Sequence, residues 1–293
     1  MTIEGTHALW ADLAVDRPVA GKKTVTVFGV PFDGMASARK GAALAPSALR
    51  EWSRHLTPFT EDRTDLRVLQ IVDTGDLEVV DPYADYSKLE RLVCGLATPF
   101  FAIGGDHSIS IPILRGLLQQ RPKMGLLWID AHPDMCDFFD GSELSHACVL
   151  KRALDAGLDP HRVAMVGLRS WEEQELPILD RGDVLVISAS QVADFGVKAY
   201  LPGILERFAD CDGIYISCDI DALDPSIAPG TGIPDHGGMT MRDVLGLVKA
   251  MQPFEILGFD VVEVAPPIDP TNSTVFAALK IAMEAFGVLA RQI

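Results

Sequence analysis

Four short segments hold most of the residues able to do chemistry. They are Gly104-Gly105-Asp106-His107-Ser108, Asp130-Ala131-His132-Pro133-Asp134, Ser217-Cys218-Asp219-Ile220-Asp221 and Asp260-Val261-Val262-Glu263. The third is followed by Asp224-Pro225 and Pro229-Gly230-Thr231-Gly232. Alternate residues of an extended chain point the same way, so Asp130, His132 and Asp134 are expected to converge on one side of a strand end. Asp219 and Asp221 repeat the device. With His107 they make a set of four carboxylates and two imidazoles. Buried carboxylates left unpaired would be too costly, so a cation is expected among them. Six ligands exceed what one catalytic metal usually takes, which points to two metals roughly 3.5–4 Å apart. An oxygen-rich set without thiols favours Mn²⁺ over structural zinc and leaves Fe, Co and Ni open.

Residues so spaced need elements to hold them. Eight short apolar, β-branched-rich runs read as strands: 24–30, 67–75, 99–105, 125–131, 163–169, 184–189, 213–220 and 256–264. Most are apolar on both faces, as in a parallel sheet covered on both sides. Helical spacing fills the gaps at 46–55, 87–96, 111–120, 146–156, 198–208, 241–251 and 274–291. The expected fold is therefore α/β: a single-domain, three-layer α/β/α sandwich on an approximately eight-stranded parallel sheet. Residues 1–22 read as an N-terminal arm and 23–293 as the catalytic domain. In such sheets, sites form where the carboxyl ends of strands open into loops. The four segments lie at such ends. An isolated Asp-x-Asp pair or Gly-Gly-Asp-His turn would carry little weight, but their shared placement argues for a metal site.

Composition narrows the function. Forty-one acidic against 25 basic residues give a formal charge of −16 over 293 residues. That argues against nucleic-acid or anionic-membrane binding, which wants clustered Lys and Arg, and it suits a cationic substrate. Five cysteines without a CxxC pair suggest neither a disulfide framework nor a zinc-thiolate site, so a cytoplasmic location is expected. The first twenty residues lack a basic start followed by an apolar run, and no membrane-spanning stretch is read.

The set Gly-Gly-Asp-His-Ser, Asp-Ala-His-x-Asp and Ser-x-Asp-x-Asp-x-x-Asp-Pro with the following Pro-Gly-Thr-Gly resembles the ureohydrolases, the family of arginase and agmatinase. The likeness covers nearly the whole chain. Gly29-Val30-Pro31-Phe32-Asp33 and Gly41-Ala42-Ala43 look like the family's first loop, and Asp260 to Pro266 looks like its last strand. Ser145-His146-Ala147 leading into Lys151-Arg152-Ala153-Leu154 resembles the shorter bacterial and archaeal agmatinases.

The resemblance implies that His107, Asp130, His132, Asp134, Asp219 and Asp221 hold two manganese ions. Asp134 would also orient the nucleophile, Glu263 would grip the guanidinium with a carboxylate that matches its planar fork, and His146 would shuttle protons to the leaving amine. A guanidinium is cationic and resonance-stabilised, so ordinary water is too weak a nucleophile and metals are the remedy. His55, His161, His7 and His236 lie outside these motifs, and Cys136 and Cys148 flank them as packing residues. Arginases carry an asparagine where this chain has Cys136, and aspartates where Ser170-Trp171-Glu172 follow Gly167-Leu168-Arg169. Both departures turn the expectation from arginine toward agmatine. Guanidinobutyrate, guanidinopropionate, guanidine and formiminoglutamate stay open as substrates. A single-zinc, deacetylase-like enzyme and a non-catalytic paralogue are the rivals from other classes. The resemblance also implies a homo-oligomer, a trimer or hexamer, in which Trp10 and Leu13 of the arm pack either on a neighbour or on their own domain.

Overall fold

The protein is described here by a computed structural model covering residues 8–292; His7 falls outside this range. Eight strands form one sheet: β1 (Lys23–Gly29), β2 (Leu69–Asp76), β3 (Phe100–Ile103), β4 (Gly125–Ile129), β5 (Val163–Leu168), β6 (Leu185–Ser188), β7 (Ile214–Asp219) and β8 (Ile256–Val262). Their order across the sheet is β2-β1-β3-β8-β7-β4-β5-β6, and every pairing is parallel.

The alternation of side chains along these strands builds two cores. Leu127 and Ile129 of β4 and Phe101 and Ile103 of β3 face one layer. That layer holds the helices Ala45–Ser53, Ala189–Phe195, Leu201–Arg207, Met241–Ala250 and Ser273–Ala290. Leu126 and Trp128 of β4 and Phe100 and Ala102 of β3 face the other. There the helices Pro82–Gly95, Ser110–Gln120 and Val149–Asp155 supply Leu89, Leu114 and Val149. Apolar residues on both strand faces are thus explained by helices on both sides.

Three local features differ from the sequence pattern. The expected helix over 146–156 splits into a 3₁₀ turn at His146–Cys148, capped by the Ser145 side chain, and the helix Val149–Asp155. The segment Ala189–Phe195, too short to show a helical period, is a helix opened by a capping box between Ser188 and Gln191. The fourth strand stops at Ile129, before the ligand-type residues begin.

Of the two fates open to the arm, its described residues pack on their own domain. Trp10 is fully buried, edge-on to Phe101 and Phe286, and its Nε1 donates to Asp73 Oδ2 at 2.8 Å. The chain makes a left-handed turn there, with φ of 58°, 56° and 65° at Trp10, Ala11 and Asp12. Such a turn costs roughly 1–2 kcal/mol per residue. A buried tryptophan worth about 3–5 kcal/mol offsets it. The helix Ser273–Ala290 is long and apolar enough to cross a membrane by composition alone. It lies instead inside the protein, 78% buried, against the sheet.

Candidate metal centre and active site

The four strands that carry the chemistry are neighbours: β3, β8, β7 and β4 form the middle of the sheet. The chain steps from β3 to β4 across two places that β7 and β8 fill much later. This brings residues 107, 263, 219 and 130 to one carboxyl edge, at the crevice where the order switches.

Convergence does not come from strand alternation. Asp130, His132 and Asp134 all lie beyond β4, and Asp134 adopts a left-handed backbone with φ 49°. Asp130 Oδ1 accepts the His132 N–H at 2.7 Å, folding the loop back on itself. Asp221 sits in the 3₁₀ turn Ile220–Ala222, whose cap is the Asp219 side chain. Carboxylates that bond their own backbone two residues on make tight turns, and these turns aim the ligands.

Two groups of side chains result, and Asp130 belongs to both: His107 with Asp134, and His132 with Asp221. His107 Nδ1 lies 3.1 Å from Asp130 Oδ2, 3.2 Å from Asp134 Oδ2 and 3.3 Å from Asp219 Oδ2. His132 Nδ1 lies 3.6 Å from the other oxygen of Asp130 and 3.1 Å from Asp221 Oδ2. A carboxylate with one oxygen in each group is the geometry of a bridge. His107 Nδ1 and Asp130 Oδ2 are buried yet have no hydrogen-bond partner. Orphaned polar atoms of this kind call for an ion.

Charge says the same. Burial, then the neighbouring Asp221 and Asp130, push the Asp219 carboxyl well above its usual range. Burial alone would lower the His132 imidazole, but Asp221 and Asp130 outweigh it and hold it up at about 12. The cluster therefore carries more negative charge than its surroundings balance, and a proton on an imidazole is a poor substitute for a divalent cation. The residues fit a metal.

Outer partners fix the ligands. His107 Nε2 meets Ser217 Oγ at 2.9 Å, and that hydroxyl donates to Asp260 Oδ1 at 2.9 Å. Asp260 is fully buried and also accepts from Ser110 Oγ, Tyr215 OH and Cys218 N. The His107 ring stacks on Trp128 at 4.2 Å. Bonded in this way, Nε2 carries the hydrogen and Nδ1 presents its lone pair to the cluster. Glycine matters once here: a Cβ on Gly105 would lie 1.7 Å from the Phe32 carbonyl oxygen.

Glu263, directly after β8, closes the site, again with a left-handed backbone, φ 61°. Its Oε1 accepts from His107 N at 2.9 Å and pairs with His146 Nδ1 at 2.8 Å. Strained residues in sparsely populated φ/ψ regions gather at functional sites, and Asp134 and Glu263 both face this pocket. The other nitrogen of the His146 ring, Nε2, meets Ser37 at 2.9 Å from its Oγ and accepts from its N–H at 3.2 Å.

The pocket above the cluster is lined by Asp134, Asp219, Asp221, Glu263, His132 and His146. Its outer wall adds Ser37, Phe139, Trp171, Glu172, Glu175 and Ile233. No lysine or arginine lines it among the described residues. Apart from Trp171 and Glu172, which lie in the segment already set against the aspartates of arginases, these wall residues sit in loops with no periodicity or motif, so the sequence held no signal for them. His55, His161 and His236 are exposed and line no part of this pocket. Cys136 and Cys148 are buried, and burial pushes both thiols up, which leaves them inert at neutral pH.

Sheet and cluster together define a class: a three-layer α/β protein with a His/Asp centre of metal-binding type at the carboxyl edge of its central strands. Comparison with known proteins narrows it. The arginase family model matches residues 23–287. The agmatinase of Photorhabdus laumondii is 35% identical over 282 residues, covering 92% of this chain and 88% of its own. The crystal structure of agmatine ureohydrolase of Thermoplasma volcanium superposes with TM-score 0.84 at 30% identity, covering 92% and 91% of the two chains. Proclavaminate amidino hydrolase from Streptomyces clavuligerus superposes with TM-score 0.88 at 30% identity, covering 98% of each. The chain belongs to the arginase family, and it is a hydrolase acting on guanidino compounds.

Proposed function

We propose that this enzyme hydrolyses agmatine to putrescine and urea with two Mn²⁺ ions per chain. The observation that carries the choice of substrate is the charge of the pocket wall. The Glu172 carboxylate stands with Trp171 and Phe139, and no cationic side chain lines the pocket among the described residues. A protonated amine tail is attracted there by the carboxylate and ring faces. The carboxylate tails of arginine, guanidinobutyrate, guanidinopropionate and formiminoglutamate would meet no lysine or arginine among the described lining residues; Lys40 lies in the adjoining groove instead.

In this reading His107, Asp130, His132, Asp134, Asp219 and Asp221 would together hold the two ions. The metals, when bound, supply a nucleophile of hydroxide strength at neutral pH. Asp134 orients that nucleophile. Glu263 Oε1 is already bonded to His107 N and His146, so Oε2 is the oxygen offered to a guanidinium N–H. His146, held between Glu263 and Ser37, delivers the proton that lets the amine leave. All six ligands and His146 are present, which argues against a non-catalytic paralogue. Two groups sharing one carboxylate argue against a single zinc. The resemblance supports a cytoplasmic homo-oligomer, a trimer or hexamer.

The test is urea release from agmatine, arginine, guanidinobutyrate, guanidinopropionate and guanidine, before and after chelation and Mn²⁺ addition. Agmatine is expected to be turned over best, and only with metal. Preference for an acid-tailed compound would overturn the substrate; a metal count near one per chain would overturn the binuclear centre.

A further inference from the structure

Glu175 is 2% exposed, yet its carboxylate is not one of the proposed ligands and belongs to no motif. Its Oε1 accepts the Met135 N–H at 2.8 Å and its Oε2 accepts the Glu172 N–H at 2.8 Å. Met135 directly follows Asp134, the residue forced into a left-handed backbone beside His107. Glu172 and Trp171 form the outer wall of the pocket. One buried carboxylate therefore joins the loop that carries a ligand to the loop that faces the substrate's far end.

We propose that Glu175 is a positioning residue that sets Asp134 for metal binding and the Trp171–Glu172 wall for the substrate tail. Both carboxylate oxygens are occupied by backbone donors, so the side chain acts through these loops. The surrounding bonds show why it is needed. Asp134 O accepts from Leu150 N at 2.9 Å, and Cys136 N donates to Ala147 O at 3.0 Å, which ties this loop to the helix behind it. Toward the 171–175 loop, the other side-chain links are Gln174 Oε1 with Asp137 N at 3.1 Å and Gln174 Nε2 with Phe138 O, both at exposed positions. Bonds open to water hold a loop weakly, whereas a buried carboxyl that accepts from two backbone N–H groups, Met135 in a buried bond and Glu172 in a part-buried one, holds it more firmly. Burial pushes the Glu175 carboxyl up to about 7, a cost that the two backbone donors partly offset.

Glutamine has the same size, but it turns one acceptor oxygen into a donor that faces an N–H. Glu175→Gln is therefore expected to weaken Mn²⁺ binding about 10–100-fold, as losses of partners to ligand loops do. Mn²⁺ binding is read by titrating the chelated protein against a fluorescent chelator, which needs no substrate. The same variant is expected to raise KM for agmatine. Glu172→Gln, which keeps its backbone N–H, should raise KM while leaving Mn²⁺ affinity as in the parent. The wall's role rests on the agmatine reading; the ligand loop's role does not. Unchanged KM in Glu172→Gln would count against that reading alone. Mn²⁺ affinity within twofold of the parent in Glu175→Gln, with only the urea midpoint lowered, would overturn the positioning role. If Glu175→Gln does not fold, hydrogen exchange on the Mn²⁺-loaded parent decides: the Met135 and Glu172 amides are expected to be protected together, and fast exchange at either would overturn the proposal.

Discussion

Replacing Ser217 with alanine removes one oxygen atom and two hydrogen bonds. The hydroxyl receives the His107 Nε2–H at 2.9 Å and donates to Asp260 Oδ1 at 2.9 Å. In Ser217→Ala the His107 ring keeps its stacking on Trp128, so the site should not collapse. The proton, however, loses its reason to stay on Nε2. Moved to Nδ1, it would face Asp130, Asp134 and Asp219, each within 3.3 Å, and would compete with the metal for the same lone pair. Loss of such a partner costs about 10–100-fold in metal affinity, or about 1.4–2.7 kcal/mol. Asp260 meanwhile loses one of four donors in a fully buried place, for a further cost of about 1–3 kcal/mol in the stability of metal-free protein. Two measurements separate the effects: Mn²⁺ titration of the chelated protein, and its urea midpoint without metal. A lower midpoint with Mn²⁺ affinity unchanged within twofold would refute the idea that Ser217 orients the imidazole.

Gly105→Ala places a Cβ on the Phe32 carbonyl, where both groups are backbone and neither can swing aside; little soluble folded protein is expected on expression. Trp10→Ala should cost about 3–5 kcal/mol in urea denaturation, because the ring is fully buried and its Nε1 bonds Asp73. His146→Ala should show a pH-dependent cost in metal-free protein. Burial lowers this imidazole, but Glu263 outweighs it and raises it from 6.5 to about 9. Its contribution is therefore fully present below about pH 6.5 and disappears as pH rises through about 9. The span of the shift sets it at about 3 kcal/mol. Urea midpoints of parent and variant at pH 6 and pH 10 check this, and a gap that widens with pH would reverse the sign. Chelation should lower the melting temperature of the parent, and Mn²⁺ at 100 times its Kd should restore about 2.7 kcal/mol.

All eight strands were legible in the sequence as apolar, β-branched-rich runs; the central ones are apolar along their whole length because both faces are buried, while the edge strands β2 and β6 are only partly so. The His/Asp motifs were legible too, because metal binding restricts residue type and because each motif is short. The fully buried Trp10 shows where such reading stops: nothing local distinguishes an aromatic that packs on its own core from one that packs on a neighbour, and the contact spans ninety and more residues to Phe101 and Phe286. The loop Asp130–Asp134 shows a second limit. The spacing of its ligands matched an extended strand, yet side-chain bonds to its own backbone and a positive φ at Asp134 produce the convergence. Ser37, Phe139 and Glu175 join the pocket wall from loops that no pattern governs, so their roles depend on which loops the fold brings together. Sequence determined the strands, the ligand types and the family likeness, since each depends on residues close together along the chain. Tertiary structure decided which four strands stand side by side, which oxygen of Asp130 faces which imidazole, and the charge of the wall that meets the substrate, since each of these depends on distances that only long-range packing sets.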